Sequence, residues 1–372
     1  MSVALVASPT GSTVVREACA RDNDGLLALD AACGMGGGRR GGGGPTWTIR
    51  HQPDFFALFR VAGVRATVGI AEDDERRVVG VVTMIEQPGM DDDATASWYV
   101  SGWQVHPAHR GRTVGPALVR WAIERIELVG GARASGWFMS GGSGAALRAL
   151  ISRAAPSLRL SLPNQLRSYR LPTAHWRALV PARGLGVRPA MATDVEEMAD
   201  LWRRAAAARR FAPRLDAASI DRWRTTVLNA PPATYWVART PRGAIRGFVG
   251  VWDQRPVKQF CLERDERPTG ARLLRGRSRA VPLRTLAYTH WCVPGELPRV
   301  HHALLGRTAR AAWIAGFRTI SLMADPRDPL ADACDAWSAP FQPFTASLAF
   351  ASPADPVSAR EDLPLYLDVG LA

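Results

Sequence analysis

The sequence predicts a mixed α/β protein made of two tandem halves of one pattern, each around a central sheet. Three observations carry this. The frame V-R-x-A-x-x-x-D runs from Val15 to Asp22 and returns from Val187 to Asp194, 172 residues later. Within each half, β-branched runs alternate with amphipathic runs at helical spacing. Between the halves, "LVPARGLGV" (Leu179 to Val187) breaks the periodicity with proline and glycine. The expected division is 1–180 and 183–372.

The elements follow in the same order in both copies. Each V-R frame runs into an amphipathic helix, "GLLALDAAC" in the first half and "VEEMADLWRRA" in the second. Next come strands that bear a glycine, "RRVVGVVTMI" and "AIRGFVGVWD", and then central strands containing "WQV" at Trp103 and "WCV" at Trp291. A helix, a glycine turn and a strand close the match, in "ALVRWAIERIELVGGARASGWFM" and "ALLGRTARAAWIAGFRTISLMA". A further helix and a last strand or two complete each half. The insert Gly34–Gly44 is too rich in glycine to pack and is expected to be a loop.

Composition narrows the class. A chain of 372 residues with 47% hydrophobic and 22% charged residues is ordinary for a globular protein of two domains. No apolar run approaches the ~20 residues of a membrane span, and the opening "MSVALVASPTGS" has no basic stretch before its apolar one, so neither a membrane partner nor a secretory signal is expected. Five cysteines, widely spaced and without a C-x-x-C pair, argue for a reducing compartment, with the cytoplasm as the default, and against a disulfide framework or a zinc site. The net charge of +13 invites a nucleic-acid partner, but Lys258 is the one lysine and the arginines are spread along the whole chain. That is the signature of codon bias, and no helix-turn-helix, zinc or RRM pattern accompanies it. Attraction to an acidic carrier protein or to cofactor phosphates stays open.

The most informative stretch is "VHPAHRGRTVGPAL", Val105 to Leu118. It joins the strand-like "ASWYVSGWQV" to the helix-like "ALVRWAIERIELV" through a turn rich in backbone donors and positive charge. Turns of this kind hold phosphates, because unpaired N–H groups and the helix dipole favour an anion. The stretch resembles the acyl-CoA-binding motif of the GNAT acetyltransferase superfamily, Q/R-x-x-G-x-G/A after a V-x-P. Arg110 stands at the first position, Gly115 at the last glycine, and Val105 and Pro107 supply V-x-P. The middle glycine is replaced by Thr113, and Pro116 lacks an N–H where a helix start needs it least. The resemblance covers most of residues 13–175 and the second half by topology alone.

The resemblance implies two acyl-CoA N-acyltransferase-like domains in tandem, with acetyl-CoA or another acyl-CoA as co-substrate and no metal. The N–H groups around Arg110, Gly111, Arg112, Thr113, Val114 and Gly115, with Ala117 in the first helical turn, would cradle the pyrophosphate. The backbone of Trp103, Gln104 and Val105 would pair with the pantetheine arm, and the N–H near Val105 would polarise the thioester carbonyl. The implied reaction is acetyl transfer to the amine of a small molecule or natural-product intermediate. Two alternatives stay open: an acidic carrier protein or aminoacyl-tRNA as donor, and a non-catalytic acetyl-CoA-binding protein.

The second half lacks the arginine-and-glycine cluster. "PGELPRVHHALLGRTAR" puts His301 and His302 there, and adjacent helical residues point apart, so they do not read as a metal pair. This half is expected to be degenerate and to shape the acceptor pocket or form a dimer face.

Proton transfer is less legible. Strand alternation places Tyr99, Ser101, Trp103 and Val105 on one face, and Tyr99 and Ser101 fall where several family members keep a glutamate or histidine. They are the catalytic candidates, positioning a water. Glu86 and Asp91–Asp93 are alternative acceptors. The tyrosine acid of the family is absent; Leu150 stands at its place, and Tyr169 substitutes only if the last strand folds back over the site. Trp98, Trp103 and Trp137 lie on the strands that would part for CoA, which suits an apolar or aromatic acceptor.

Overall fold

The repeated frame is a structural clasp. On strand β1 (Val14–Glu17), Arg16 bonds Asp22 through both terminal nitrogens, at 2.8 and 2.7 Å. Asp22 also accepts from the Cys19 N–H at 2.8 Å, which fixes the turn into helix α1 (Asn23–Ala32). In the second half, Arg188 bonds Asp194 at 2.7 and 2.9 Å, and Asp194 accepts from the Met191 N–H at 2.7 Å. Arginine and aspartate spaced by six residues thus close one turn twice, with bidentate charge-assisted bonds.

The computed structural model describes residues 13–33, 35–36, 46–87, 97–111, 113–130, 135–140, 148–149, 151–153, 159–160, 164–178, 184–264, 279–295, 298–338, 342–351 and 363–368. After α1 the first half continues with β2 (Met35–Gly36), β3 (Thr46–His51), α2 (Ala57–Ala62), β4 (Ala66–Glu72), β5 (Val78–Gln87), β6 (Ser97–Val105), α3 (Val114–Gly130), β7 (Ser135–Ser140), β8 (Arg159–Leu160) and β9 (Asn164–Pro172). The second half comprises β10 (Gly186–Pro189), α4 (Val195–Ala206), α5 (Ala217–Arg222), β11 (Tyr235–Arg239), β12 (Ile245–Trp252), β13 (Lys258–Arg264), β14 (Arg279–Pro282), β15 (Thr285–Cys292), α6 (Pro298–Ile314), β16 (Thr319–Ala324), α7 (Pro329–Asp335) and β17 (Gln342–Ala351). Met35 and Gly36, inside the glycine-rich insert, pair with β3 as a strand, which corrects the expectation of a loop at those two positions; Gly34 and residues 37–44 lie outside the described residues.

One large sheet runs β1-β4-β5-β6-β7-β17-β9-β16-β15-β12-β11-β10. Among the described strands, β6–β7 and β15–β16 pair in parallel and the other named pairs are antiparallel. The order is palindromic about its centre. There β17, from the end of the chain, pairs with β7 of the first half, while β9, from the first half, pairs with β16 of the second. Each half therefore lends the other its last strand. A second sheet, β14-β13-β3-β2, ties the halves again, with Lys258 opposite His51.

The cores follow the same joining. One cluster runs from Leu26, Ile70 and Tyr99 through Leu166 to Trp202, Leu286 and Leu365, across both halves. The other lies between α3 and the sheet, with Val82, Met84, Trp98 and Val100 against Leu118 and Ile123. Gly69 is the close-approach point there, since a Cβ on it would meet the Trp121 ring at 2.3 Å. Burying each large side chain contributes roughly 1.5–3 kcal/mol, so the shared cluster resists separation of the halves. At the seam, His51 Nδ1 lies 2.5 Å from the buried Asp30 Oδ2. Lys258 is buried nearby, and desolvation lowers its pKa to about 8 against the opposing field of Asp30.

Candidate active site

Strands β6 and β7 start together and then part. Their parallel pairing covers Ser97–Val100 against Ser135–Phe138, after which β6 runs on to Val105. From Ser101 onward β6 is paired on its other side, where Thr83 faces Ser101, Val81 faces Gln104 and Gly80 faces Val105. Among the described residues, no strand pairs with this part of β6 on the β7 side. Parted parallel strands leave a row of backbone donors and acceptors open, ready for an extended ligand.

A bulge lies at the parting. Two steps along β5, from Val81 to Thr83, match three along β6, from Ser101 to Gln104. Gly102 takes the left-handed conformation at φ 60°, and a Cβ on it would come within 3.2 Å of Thr83 Oγ1. The extra residue reverses the alternation, and this corrects the expectation of four side chains on one face. Tyr99 points into the core shared with α1, whereas Trp103 and Val105 pack with Trp98 and Val100 on the α3 side. Trp98 is accordingly a core residue beneath α3.

The turn leading into α3 begins where β6 ends. Pro107–His109 forms one 3₁₀ turn, with His106 Nδ1 accepting from the Ala108 N–H at 3.3 Å. Arg110 folds its Nε back to the Val105 carbonyl at 3.1 Å. Gly111 holds φ 75° with open space around its Cα. Thr113 caps the helix, its carbonyl accepting from the Ala117 N–H at 3.0 Å, and it does not share the positive φ of Gly111. The threonine in place of glycine is therefore free of strain. The first N–H groups of α3, on Val114 and Gly115, have no partner within the helix, and Pro116 has none to leave unpaired. Gly115 lies under Trp103, whose ring a Cβ would meet at 3.3 Å; the Trp103 Nε1 is buried without a partner. Arg112 lies outside the described residues.

The proton-handling candidates fare unevenly. Tyr99 is fully buried; desolvation drives its hydroxyl far above the ordinary phenol value, with a hydrogen bond to Ser101 opposing. It stays protonated. Glu86 is engaged by Arg65 at 3.2 Å. Asp91–Asp93 and Leu150 lie outside the described residues, as does the side chain of Trp137. Tyr169 does not fold back over the first-half site, which corrects that expectation. β9 belongs to the second half's end of the sheet, and the Tyr169 hydroxyl donates to Asp335 Oδ1 at 2.8 Å beside α7.

Sequence reasoning missed one further neighbour. Cys33, at the end of α1, is buried against the Arg110 side chain; burial raises its thiol pKa and Arg110 opposes the rise. The bulge itself was signalled by a glycine inside a strand pattern.

Residues 39–139, from the insert through the turn to β7, match the model of the acetyltransferase (GNAT) family. That segment is similar to a GNAT acetyltransferase domain. Its class is acyltransferase, and the mixed α/β architecture is that of tandem acyl-CoA N-acyltransferase folds. A GNAT-type likeness extends over the whole chain at the level of fold. Saccharomyces cerevisiae N-myristoyltransferase, in crystal structures with bound myristoyl-CoA, superposes with a TM-score of 0.62 at 11% identity, covering 98% of this chain and 87% of that one. A tandem GNAT protein from the clavulanic acid biosynthesis pathway gives 0.54 at 15% identity, with 92% and 98% covered. A GCN5-related N-acetyltransferase from Sphaerobacter thermophilus gives 0.53 at 14%, with 97% and 99% covered. No curated protein sequence matches the chain.

The second GNAT-like half repeats the frame but fills it. β15 and β16 pair in parallel only over Thr285–Ala287 and Thr319–Ser321, so these strands part as well. His290 takes the bulge position at φ 48°. Where Gly115 opens α3, His301 stands at the start of α6, 2% exposed, its pKa lowered to about 4 by burial. Among the described residues, no three His, Cys, Asp or Glu side chains gather as metal ligands, and no helix is long and apolar enough to cross a membrane.

Proposed function

We propose that the first half transfers an acetyl group from acetyl-CoA to the amine of a small molecule. The observation that carries this reading is the parting of β6 from β7 beside a helix start with open N–H groups. The residues fit the donor chemically. The N–H groups of Gly111, Thr113, Val114 and Gly115 and the positive end of α3 suit a pyrophosphate, with Arg110 and Arg112 as charged partners and Ala117 in the first turn. Gly115 keeps that end free of side chain, and Trp103 covers its flank. The open edge of β6 at Trp103, Gln104 and Val105 suits the amide groups of a pantetheine arm.

When bound, the donor supplies a thioester carbonyl, and the backbone at the bulge offers that oxygen fixed N–H dipoles. The chain's own task is then to take a proton from the attacking amine. Ser101, oriented by Tyr99 and placed on the face opposite Trp103, holds a water for that step. Tyr99 and Ser101 thus act as positioning groups.

The test is release of CoA thiol from acetyl-CoA across a panel of small amines, aromatic amines included. Wild-type turnover with a rise of at least tenfold in KM for acetyl-CoA in Arg110→Ala is expected. Tight acetyl-CoA binding without turnover on any amine would favour the non-catalytic reading, which the neutral Tyr99 and the engaged Glu86 otherwise support.

A further inference from the structure

The parted strands of the second half are filled by the end of the chain. Residues 363–368, Leu-Pro-Leu-Tyr-Leu-Asp, lie beside β15 and the end of β16, and Leu365, Tyr366, Leu367 and Asp368 are each at most 2% exposed. The backbone is recognised as a strand would be. The Arg210 N–H donates to the Pro364 carbonyl and the Tyr366 N–H to the Arg210 carbonyl, both at 2.9 Å. The Leu365 N–H donates to Asp325 Oδ2, also at 2.9 Å, just past β16.

Side chains add specificity. Tyr366 stacks on Trp291 with centroids 4.3 Å apart and meets Trp202 edge-on at 5.3 Å. Asp368 accepts from Thr289 Oγ1 and lies 3.6 Å from His290 Nε2. Arg209 closes the floor, bonding the Trp291 carbonyl at 3.0 Å and Asp328 at 2.9 Å beneath the Tyr366 ring. Trp291 matches Trp103, and His290 matches Gly102. The segment therefore meets the bulge of β15 through its side chains, at Thr289, His290 and Trp291, while its main chain pairs with Arg210.

We infer that the parted strands of the second half form a peptide-binding slot, whose resident and exchangeable ligand is this chain's own segment 363–368. The ligand class is an extended peptide carrying an aromatic side chain and, two residues later, a carboxylate. The aromatic seats between Trp291 and Trp202, and the carboxylate meets Thr289. Alternate side chains are read while the main chain is bound at its edges, as in strand-type peptide recognition. A tethered ligand acts at an effective concentration near the millimolar range, so the slot is closed to acyl-CoA, and one donor per chain remains. The inference rests on these contacts and not on turnover in the first half.

The test uses the full-length protein with a protease site introduced between residues 352 and 362. After cleavage, native gel filtration reads whether the C-terminal piece stays with the body. Retention is expected, together with exchange against a fluorescent Leu-Pro-Leu-Tyr-Leu-Asp peptide. Changing Tyr366→Ala and Asp368→Asn together should lower retention at least tenfold, and a probe peptide with the same two changes should fail to exchange. Immediate loss of the wild-type piece at micromolar protein overturns the inference. Retention indifferent to the double change, or exchange with the altered peptide equal to the native one, overturns it as well.

Discussion

Gly102 and His290 occupy the same bulge in the two halves, both in the left-handed region, at φ 60° and 48°. One is the residue for which that conformation costs least. The other is a buried histidine, held there by the Tyr235 hydroxyl at 2.6 Å from Nδ1 and by the Trp223 ring at 4.5 Å. The backbone device of the fold is kept in both halves, and its surroundings decide between an open cleft and a filled one.

Gly102→Ala should cost about 1–2 kcal/mol, because a non-glycine residue is forced into the left-handed region and its Cβ crowds Thr83 Oγ1 at 3.2 Å. Urea unfolding checks the stability. Acetyl transfer should fall more than stability explains, since the bulge aims the N–H groups of β6.

The two clasps should differ in worth. Asp194 is fully buried and holds Arg188 and Arg239, the latter at 3.1 Å. Asp22 holds Arg16, which keeps a second partner in Glu72 at 2.6 Å. Removing Asp194 leaves the Met191 N–H unpaired and Arg188 without its carboxylate, while Arg239 keeps Glu197 at 2.9 Å, so Asp194→Ala should destabilise by roughly 1–3 kcal/mol. Asp22→Ala should cost less than half as much. Equal losses in denaturant midpoint would argue against this difference.

How far the sequence reached can be judged on these residues. The repeated frame and the turn were legible because each is local: six residues join Arg16 to Asp22, and Arg110 to Gly115 lie in one loop; that the frame closes an ion-paired clasp was not read from it. The exchange of β9 and β17 was not, because it pairs Asn164 with Ser347, and nothing in either strand's periodicity names so distant a partner. The faces of β6 were misread for a different reason: one extra residue at Gly102 inverts the parity on which alternation depends. The last apolar run, "LPLYLD", was too short to distinguish a strand from a plug.

Stability should depend on pH at both ends of the range. Burial holds His290 and His301 neutral, with pKa values lowered from 6.5 to about 3 and about 4. Below pH 6.5 the unfolded chain takes up protons that the folded chain refuses, so stability falls as pH drops from 6.5 towards 4. Lys258 works in the alkaline window: its pKa is lowered from 10.5 to about 8, so the folded state sheds a proton that the unfolded state keeps, and stability rises between pH 8 and 10.5. Urea midpoints across this range should show both slopes. Lys258→Met should flatten the alkaline one and His301→Gln should lessen the acid one.

Thiol chemistry should be confined to one position. All five cysteines are free, and only Cys19 is exposed. A disulfide reagent should modify one thiol per native chain within minutes and the other four only on unfolding. Fast modification of a second thiol would contradict the burial of Cys33, Cys261, Cys292 and Cys334.

Calorimetric titration of acetyl-CoA into the full-length protein and its Gly115→Val variant bears most directly on the first-half cleft. One site per chain with micromolar affinity is expected, weakened at least tenfold in the variant, whose Cβ would press on the Trp103 ring at 3.3 Å beside the proposed pyrophosphate position. Equal affinity in the variant would place the ligand elsewhere. No binding by the wild type, with no thermal stabilisation from the ligand, would contradict the acyl-CoA reading of the parted strands.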